Sequence, residues 1–255
     1  MAKRPDVDLF LNIAEHARLN EDELKQIYGN DLVFINNKPT DTQGFMVIKN
    51  SPPVSCGTLC GTTTNSLLIS FRGSQQPKDW INDFNGWHTT VPYGNYSSDI
   101  RVHKGFIKCY KSVRGKILQY IAANKNEIAY VFLTGHSLGG ALALLCAVDI
   151  QYNYPNLKLE VYTSGAPAVG NKAFARSYNR RVPDTTRTYA RKDIVPKLPP
   201  KWFGRKLHGG YKHVSKKYAI GPISFWAGLK MYVKVGGKFM DKVTNHSITL
   251  YKKWC

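Results

Sequence analysis

The segment TGHSLGGALALL at 134–145 carries Gly135, Ser137 and Gly139 in the pattern G-x-S-x-G, directly after YVFL and directly before an Ala/Leu-rich run. A serine raised on a tight strand-to-helix turn has its hydroxyl aimed outward, and glycines on either side permit the close backbone approach such a turn needs. The helix beginning there adds the positive end of its dipole beside a developing oxyanion. The chemistry of that layout is nucleophilic attack by a hydroxyl. Chance glycine-rich turns also match a bare G-x-S-x-G. The strand before it and the helix after it make Ser137 a candidate nucleophile.

A serine is a weak nucleophile without a base, and the base needs a third group to orient it. On a strand–turn–helix nucleophile the order along the chain is Ser, then acid, then His. Of the downstream acids, Asp149 and Glu160 fall within or beside elements packed elsewhere, which leaves Asp184, Asp193 and Asp241. Asp193 follows the strand-like TTRTYA and opens the loop DIVPKLP, at the sheet end where such a carboxylate belongs. Asp184 precedes that strand, and Asp241, five residues before His246, reads as a solvated charge. Asp193 is therefore favoured. Among His208, His213 and His246, the last is favoured as base, because a late loop can fold back over the sheet. His213, in GYKHVS, is its main competitor and equally suits a structural role. His103 and His136 precede Ser137, so packing or hydrogen bonding is expected of them.

These residues have to be positioned by a scaffold. Residues 6–28 read as helical through Leu9, Ile13, Leu24 and Ile27. From 32 to 71 come short β-rich pieces, LVFI, GFMVI and LLISF, separated by Gly, Pro, Asn and Thr. A helix is predicted over 105–123 and a strand at 130–133. A second helix follows from Leu138 to Asp149, then strands at 159–165 and 185–190 and an irregular basic tail. Strands alternating with helices imply βαβ units and a mostly parallel sheet. With 255 residues, 43% hydrophobic and 12% aromatic, and no internal repeat or linker, the chain is expected to form one α/β domain rather than a disordered or fibrous chain.

Taken together, the segments SFRGSQQPKDWINDF (70–84), VHKGF (102–106), TGHSLGGALA (134–143), TSGAPAVGN (163–171), KDIVPKLP (192–199) and NHSITLY (245–251) resemble the class 3 lipases, the fungal-lipase-like branch of the α/β-hydrolases. The likeness covers roughly residues 65–251, and residues 1–60 match only loosely. It implies a single α/β-hydrolase domain with Ser137 as nucleophile, Asp193 as orienting acid and His246 as base. It also implies an oxyanion hole from the Leu138 N–H and from Ser74 in the R-G-S turn. Residues 75–83 correspond to the family's lid, with Pro77 starting it and Trp80 and Ile81 as its apolar contacts. No metal or organic cofactor is required, since the triad supplies both nucleophile and proton transfer.

The implied activity is hydrolysis of a lipid ester through an acyl–Ser137 intermediate. An acylglycerol is the first expectation for substrate, and phospholipase A1-type action on anionic phospholipid comes next. A soluble carboxylesterase is third. The reading from a different class is a lipase-like scaffold that binds membranes or nucleic acid without catalysis. Its support is the charge, 36 Lys+Arg against 17 Asp+Glu for a net +19. Between Arg187 and Lys253 stand 16 of the basic residues and only two acids, Asp193 and Asp241. Residues 200–242 read as a basic amphipathic insertion, with Lys230, Lys234, Lys238 and Lys242 at helical spacing. Such a segment suits an anionic membrane surface. A solvated basic face explains the same residues, and nucleic-acid contact is a weaker third reading.

The opening residues lack the apolar core of a signal peptide, and no run is long enough to span a membrane. The expectation is a cytoplasmic or peripheral-membrane protein, with secretion left open should a leader have been removed. The five cysteines read as reduced thiols. Cys56 and Cys60 make a poor zinc pair, with no His or second Cys pair nearby, and a disulfide between them stays open.

Overall fold

The most apolar strand segments of the sequence lie at the middle of one sheet. In the computed structural model, which describes residues 5–50, 65–74, 88–89, 99–199, 210–221 and 246–254, SLLISF forms β3 (Ser66–Phe71) and YVFLTGH forms β6 (Tyr130–His136). Every residue of β3 is buried, as expected of a strand covered on both faces. Around this pair the seven-stranded order is β1 (Val33–Asn37), β2 (Thr42–Lys49), β3, β6, β7 (Lys158–Ser164), β9 (Thr185–Ala190) and β11 (Lys217–Ile220). β1, β2 and β3 pair antiparallel, and from β3 to β11 every pairing is parallel. The remaining short strands, β4 (His88–Thr89), β5 (Val102–His103), β8 (Gly170–Asn171) and β10 (Tyr211–Lys212), form a small separate antiparallel sheet.

Parallel neighbours require crossovers, and helices supply them. The helix α3 (Lys104–Asn124) links β5 towards β6, α4 (Leu138–Asn153) joins β6 to β7, and α5 (Lys172–Arg181) lies between β8 and β9. The two-residue period of the strands sorts the core into two layers. Leu67, Ile69, Phe71, Val131 and Leu133 pack with α3, α4 and α5. The alternate residues Leu68 and Phe132 pack on the other side with Phe10 and Ile13 of α1 (Pro5–His16) and Leu24 of α2 (Glu21–Tyr28). Two buried hydroxyls tie α1 to that face: Ser70 donates to the Ile13 carbonyl and Thr134 to that of Phe10.

α4 is buried all round from Leu138 to Ile150, which places its acid Asp149 in the interior. Asp149 is satisfied there by Arg114 at 2.6 and 3.0 Å and by the Tyr110 hydroxyl at 2.6 Å. A buried charge so held belongs to the packing.

Several expectations need correction. The stretch 6–28 is two helices, because Asn20 and Glu23 form a reciprocal capping box that starts α2 afresh. Ile27, expected on the apolar face, is half exposed. The tail after 190 is not uniformly irregular, since 217–220 adds a parallel strand at the sheet edge. The segment after His246 forms the last helix, α6 (Ile248–Trp254). The lid segment 75–83 with Pro77, Trp80 and Ile81, most of the basic stretch 200–242, and Cys56, Cys60, His208 and Asp241 lie outside the described residues. Among the described residues Cys109 and Cys146 are free thiols, no helix is long and apolar enough to cross a membrane, and no cluster of His, Cys, Asp and Glu could hold a metal ion.

Candidate active site

Ser137 sits between the last residue of β6 and the first of α4, with φ 59° and ψ −126°. A side-chain-bearing residue held there stores on the order of 1–3 kcal/mol of strain, which the surroundings must impose. They do so through the backbone. The Ser137 N–H donates to the Ser164 carbonyl at 2.9 Å, and its own carbonyl accepts from Gly140 and Ala141 at 3.1 and 3.3 Å. Both flanking glycines are needed for space. A Cβ on Gly135 would lie 2.3 Å from the Gly139 carbonyl carbon, and one on Gly139 would lie 2.2 Å from the Phe71 carbonyl oxygen. Serine at a helix start usually caps it, yet the Ser137 hydroxyl makes no capping bond and no other hydrogen bond.

Asp193, fully buried just beyond the C-terminal end of β9, meets His246 across 53 residues of chain, with Oδ2 2.7 Å from Nδ1. Two more donors fix the carboxylate: the Val195 N–H to Oδ1 at 2.9 Å and the Tyr251 hydroxyl to Oδ2 at 2.5 Å. The Tyr251 oxygen in turn accepts the Ala190 N–H at 3.0 Å. With Nδ1–H directed at a carboxylate, the lone pair of neutral His246 is on Nε2. That nitrogen is buried and makes no hydrogen bond, to Ser137 or to any other residue.

Gly165 closes the floor beneath the pair. At φ +62° it occupies the left-handed region, and a Cβ there would stand 2.9 Å from the Tyr251 hydroxyl, 3.0 Å from His246 Cε1 and 3.2 Å from Asp193 Oδ2. His136, one residue before the elbow, packs its ring 4.6 Å from that of His246 and 5.4 Å from that of Tyr251. Burial drives the His136 pKa well below the usual histidine value, and the neighbouring His246 adds to the effect. The ring therefore stays neutral and puts no second cation beside His246.

The turn Arg72–Gly73–Ser74 runs from β3 directly against the elbow. A Cβ on Gly73 would be 2.9 Å from the His136 carbonyl oxygen and 3.3 Å from Ser137 Cβ. Arg72 anchors the turn by an ion pair to Asp41 and a 2.7 Å bond to Gln43. Leu138 is the first residue of α4, where a backbone N–H has no carbonyl one helical turn back to bond. Ser74 follows Gly73 in that turn, and Leu138 follows Ser137 directly in the chain.

The competing residues among those described are elsewhere. Asp184 is exposed at the start of β9, the opposite end from Asp193. His213 places Nε2 2.5 Å from the Pro196 carbonyl. His103 caps α3, with Nδ1 accepting from Gly105 and Phe106. Tyr251, Gly165 and the His136–His246 contact went unread in the sequence. Only the glycine in TSG, at the end of a strand, offered a signal.

The family described as lipase (class 3) matches residues 68–203, more than half of the chain. The lipase of Rhizomucor miehei is 39% identical over 159 residues, 60% of this chain and 42% of that protein. A secreted mono- and diacylglycerol lipase of Penicillium camembertii is 33% identical over 193 residues, 73% of this chain and 54% of that protein. The chain thus spans about half the length of these relatives. A solved triacylglycerol lipase, described as having a serine-protease triad as its catalytic centre, superposes with a TM-score of 0.65 at 28% identity, covering 85% of this chain and 80% of that one. The mostly parallel sheet flanked by helices is the α/β-hydrolase fold.

Proposed function

The chain belongs to the class 3 lipase family, and from that premise we propose that it is a serine-dependent carboxylic ester hydrolase acting on acylglycerols. Ser137 Oγ attacks the ester carbonyl while His246 Nε2 takes its proton. Asp193 holds the Nδ1–H and stabilises the imidazolium that forms. The tetrahedral oxyanion is received by the Leu138 N–H and by Ser74, at the positive end of α4. The imidazolium then protonates the leaving alcohol, and water releases the acyl group from Ser137 by the same proton path in reverse.

The observation that carries the reading is the buried Asp193–His246 pair at 2.7 Å, on the same edge of the sheet as a strained serine whose hydroxyl caps nothing. In this reading the hydrogen bond between Ser137 and His246 forms when substrate occupies the site, since such contacts often tighten only in the bound complex.

The test is ester turnover by Ser137→Ala. A fall in kcat on the order of 10⁶, with an unchanged unfolding transition, is expected when a triad nucleophile is removed. Retained turnover in a purified, folded variant would leave a non-catalytic scaffold as the better account.

Phospholipase A1-type action on anionic phospholipid is the second reading, favoured by the basic residues near the Asp193 turn. A panel of triolein, monoolein, phosphatidylglycerol and a soluble short-chain ester, above and below the solubility limit, separates the two. The relative described as secreted supports an extracellular setting over the cytoplasmic one expected from the opening residues.

A further inference from the structure

One cavity formed by the described residues does not have Ser137 in its wall. It is a basin of about 1220 Å³ between the outer part of the sheet and the small second sheet, and its walls carry Lys172, Arg187, Lys197, Lys212, Lys216 and Lys217. No aspartate or glutamate lines it among the described residues. Five of these cations are exposed lysines, whose mutual repulsion water and salt can screen. Arg187 is different. Only 5% of it is exposed, its Nε donates to the Val214 carbonyl at 3.3 Å, and no carboxylate of the described residues stands within ion-pair distance. Burial pushes its pKa down to about 10. A buried guanidinium left uncompensated among five like charges is costly to the fold unless an anion completes it.

We propose that this cavity is a binding site for a phosphate-bearing anion, with Arg187 at its base and Lys212 and Lys217 at its rim. The guanidinium fork matches two phosphate oxygens at once, and flexible lysines close on the remainder as point charges. Lys172 is the first residue of α5, so that helix begins at the same wall. A concave wall of this size, without an acid among the described residues, suits a compact head group or a free phosphate ester. A polyanionic strand would be met by a long basic stripe instead. The cavity adjoins the catalytic loop, because Val195, which holds Asp193, is followed by Pro196 and Lys197 of the wall. The site does not depend on ester hydrolysis.

The full-length chain is titrated calorimetrically with inorganic phosphate and with glycerol 3-phosphate in about 150 mM salt, where the screening length is about 8 Å. In parallel it is floated with phosphatidylcholine vesicles, with and without ether-linked phosphatidic acid, a lipid that ester hydrolysis cannot consume. The variant is Lys212→Glu/Lys217→Glu. The charge-matched control is Lys108→Glu/Lys111→Glu, exposed on α3 and not part of the cavity wall. Loss of about tenfold or more in affinity is expected for the cavity pair, and less than about twofold for the control, since each lost charge-assisted contact is worth about a factor of ten or more. Arg187→Lys, which keeps the charge and loses the fork, should also weaken binding.

Binding of the soluble esters identifies a free-anion site, and binding only to phosphatidic acid vesicles identifies a head-group site. Either result, when abolished by the cavity pair alone, supports the proposal. Equal losses in the cavity pair and the control overturn it, as does an absence of binding to every probe. A short oligonucleotide that outcompetes phosphate and weakens equally in both variants would show a diffuse basic surface and also overturn it.

Discussion

Replacing Tyr251 by phenylalanine separates what holds the site together from what reacts in it. The hydroxyl is buried, donates to Asp193 Oδ2 at 2.5 Å and accepts the Ala190 N–H at 3.0 Å. Phenylalanine keeps the ring against His136 and deletes both bonds. Loss of a hydrogen bond to a charged group costs about 1.5–3 kcal/mol, and a stranded buried amide about 1–3 more. Their sum of roughly 2.5–6 kcal/mol converts to a fall in Tm on the order of 10 °C for a chain of this size. The carboxylate still keeps the Val195 N–H and the His246 ring. Turnover measured well below the new Tm should therefore drop by less than about tenfold, whereas Asp193→Asn, which reverses the imidazole tautomer, should cost on the order of 10⁴. Thermal unfolding and ester kinetics on the two variants make the comparison. If Tyr251→Phe loses as much activity as Asp193→Asn while keeping its Tm, the tyrosine and not the backbone orients the acid, and the reasoning fails.

Two further outcomes follow from the floor of the site. Gly165→Ala must push a Cβ into His246, Asp193 and the Tyr251 hydroxyl at a positive φ. At least about a hundredfold loss of kcat is expected, and near wild-type kinetics would show that the acid–base pair has slack the distances deny. His136 has its folded-state pKa well below 6.5, so between that value and 6.5 the unfolded chain binds the extra proton and stability falls as pH falls. Urea unfolding at pH 7.5 and 5.5 should show this loss, and His136→Gln should reduce the difference by about 1.4 kcal/mol. An unchanged pH slope in the variant would mean that His136 is not the group being protonated.

Legibility followed how locally each feature is encoded. The strand β6, the helix α4 and the glycines between them were readable because one continuous segment holds the apolar strand, the tight turn and the all-round apolar helix. The β3 strand and α3 were readable for the same reason, through an apolar run and a clean helical period at Phe106, Tyr110, Val113, Ile117 and Ile121. The β11 edge strand hides in KYAI, which is half exposed and lacks an alternating pattern. The two-residue strands of the small sheet exist only through their partners. α6 is seven residues long, too short to show a period, and it lies where ITLY alternates like a strand. Tyr251 and Gly165 acquire their contacts only when that helix folds back on β9, so no local pattern marks the tyrosine, and the strand-end glycine signals a turn but not its neighbours.

That fold-back has a temporal side. α6 does not rest on the sheet alone. Ile248 and Tyr251 pack with Val7, Leu11 and Ala14 of α1, and Lys252 reaches Glu15 at 2.6 Å. The proposed base is thus seated by the pairing of a segment made early with one made more than a hundred residues after the elbow. On the proposed mechanism, a nascent chain would carry its hydroxyl without a proton acceptor until synthesis has delivered α6 and α1 has received it.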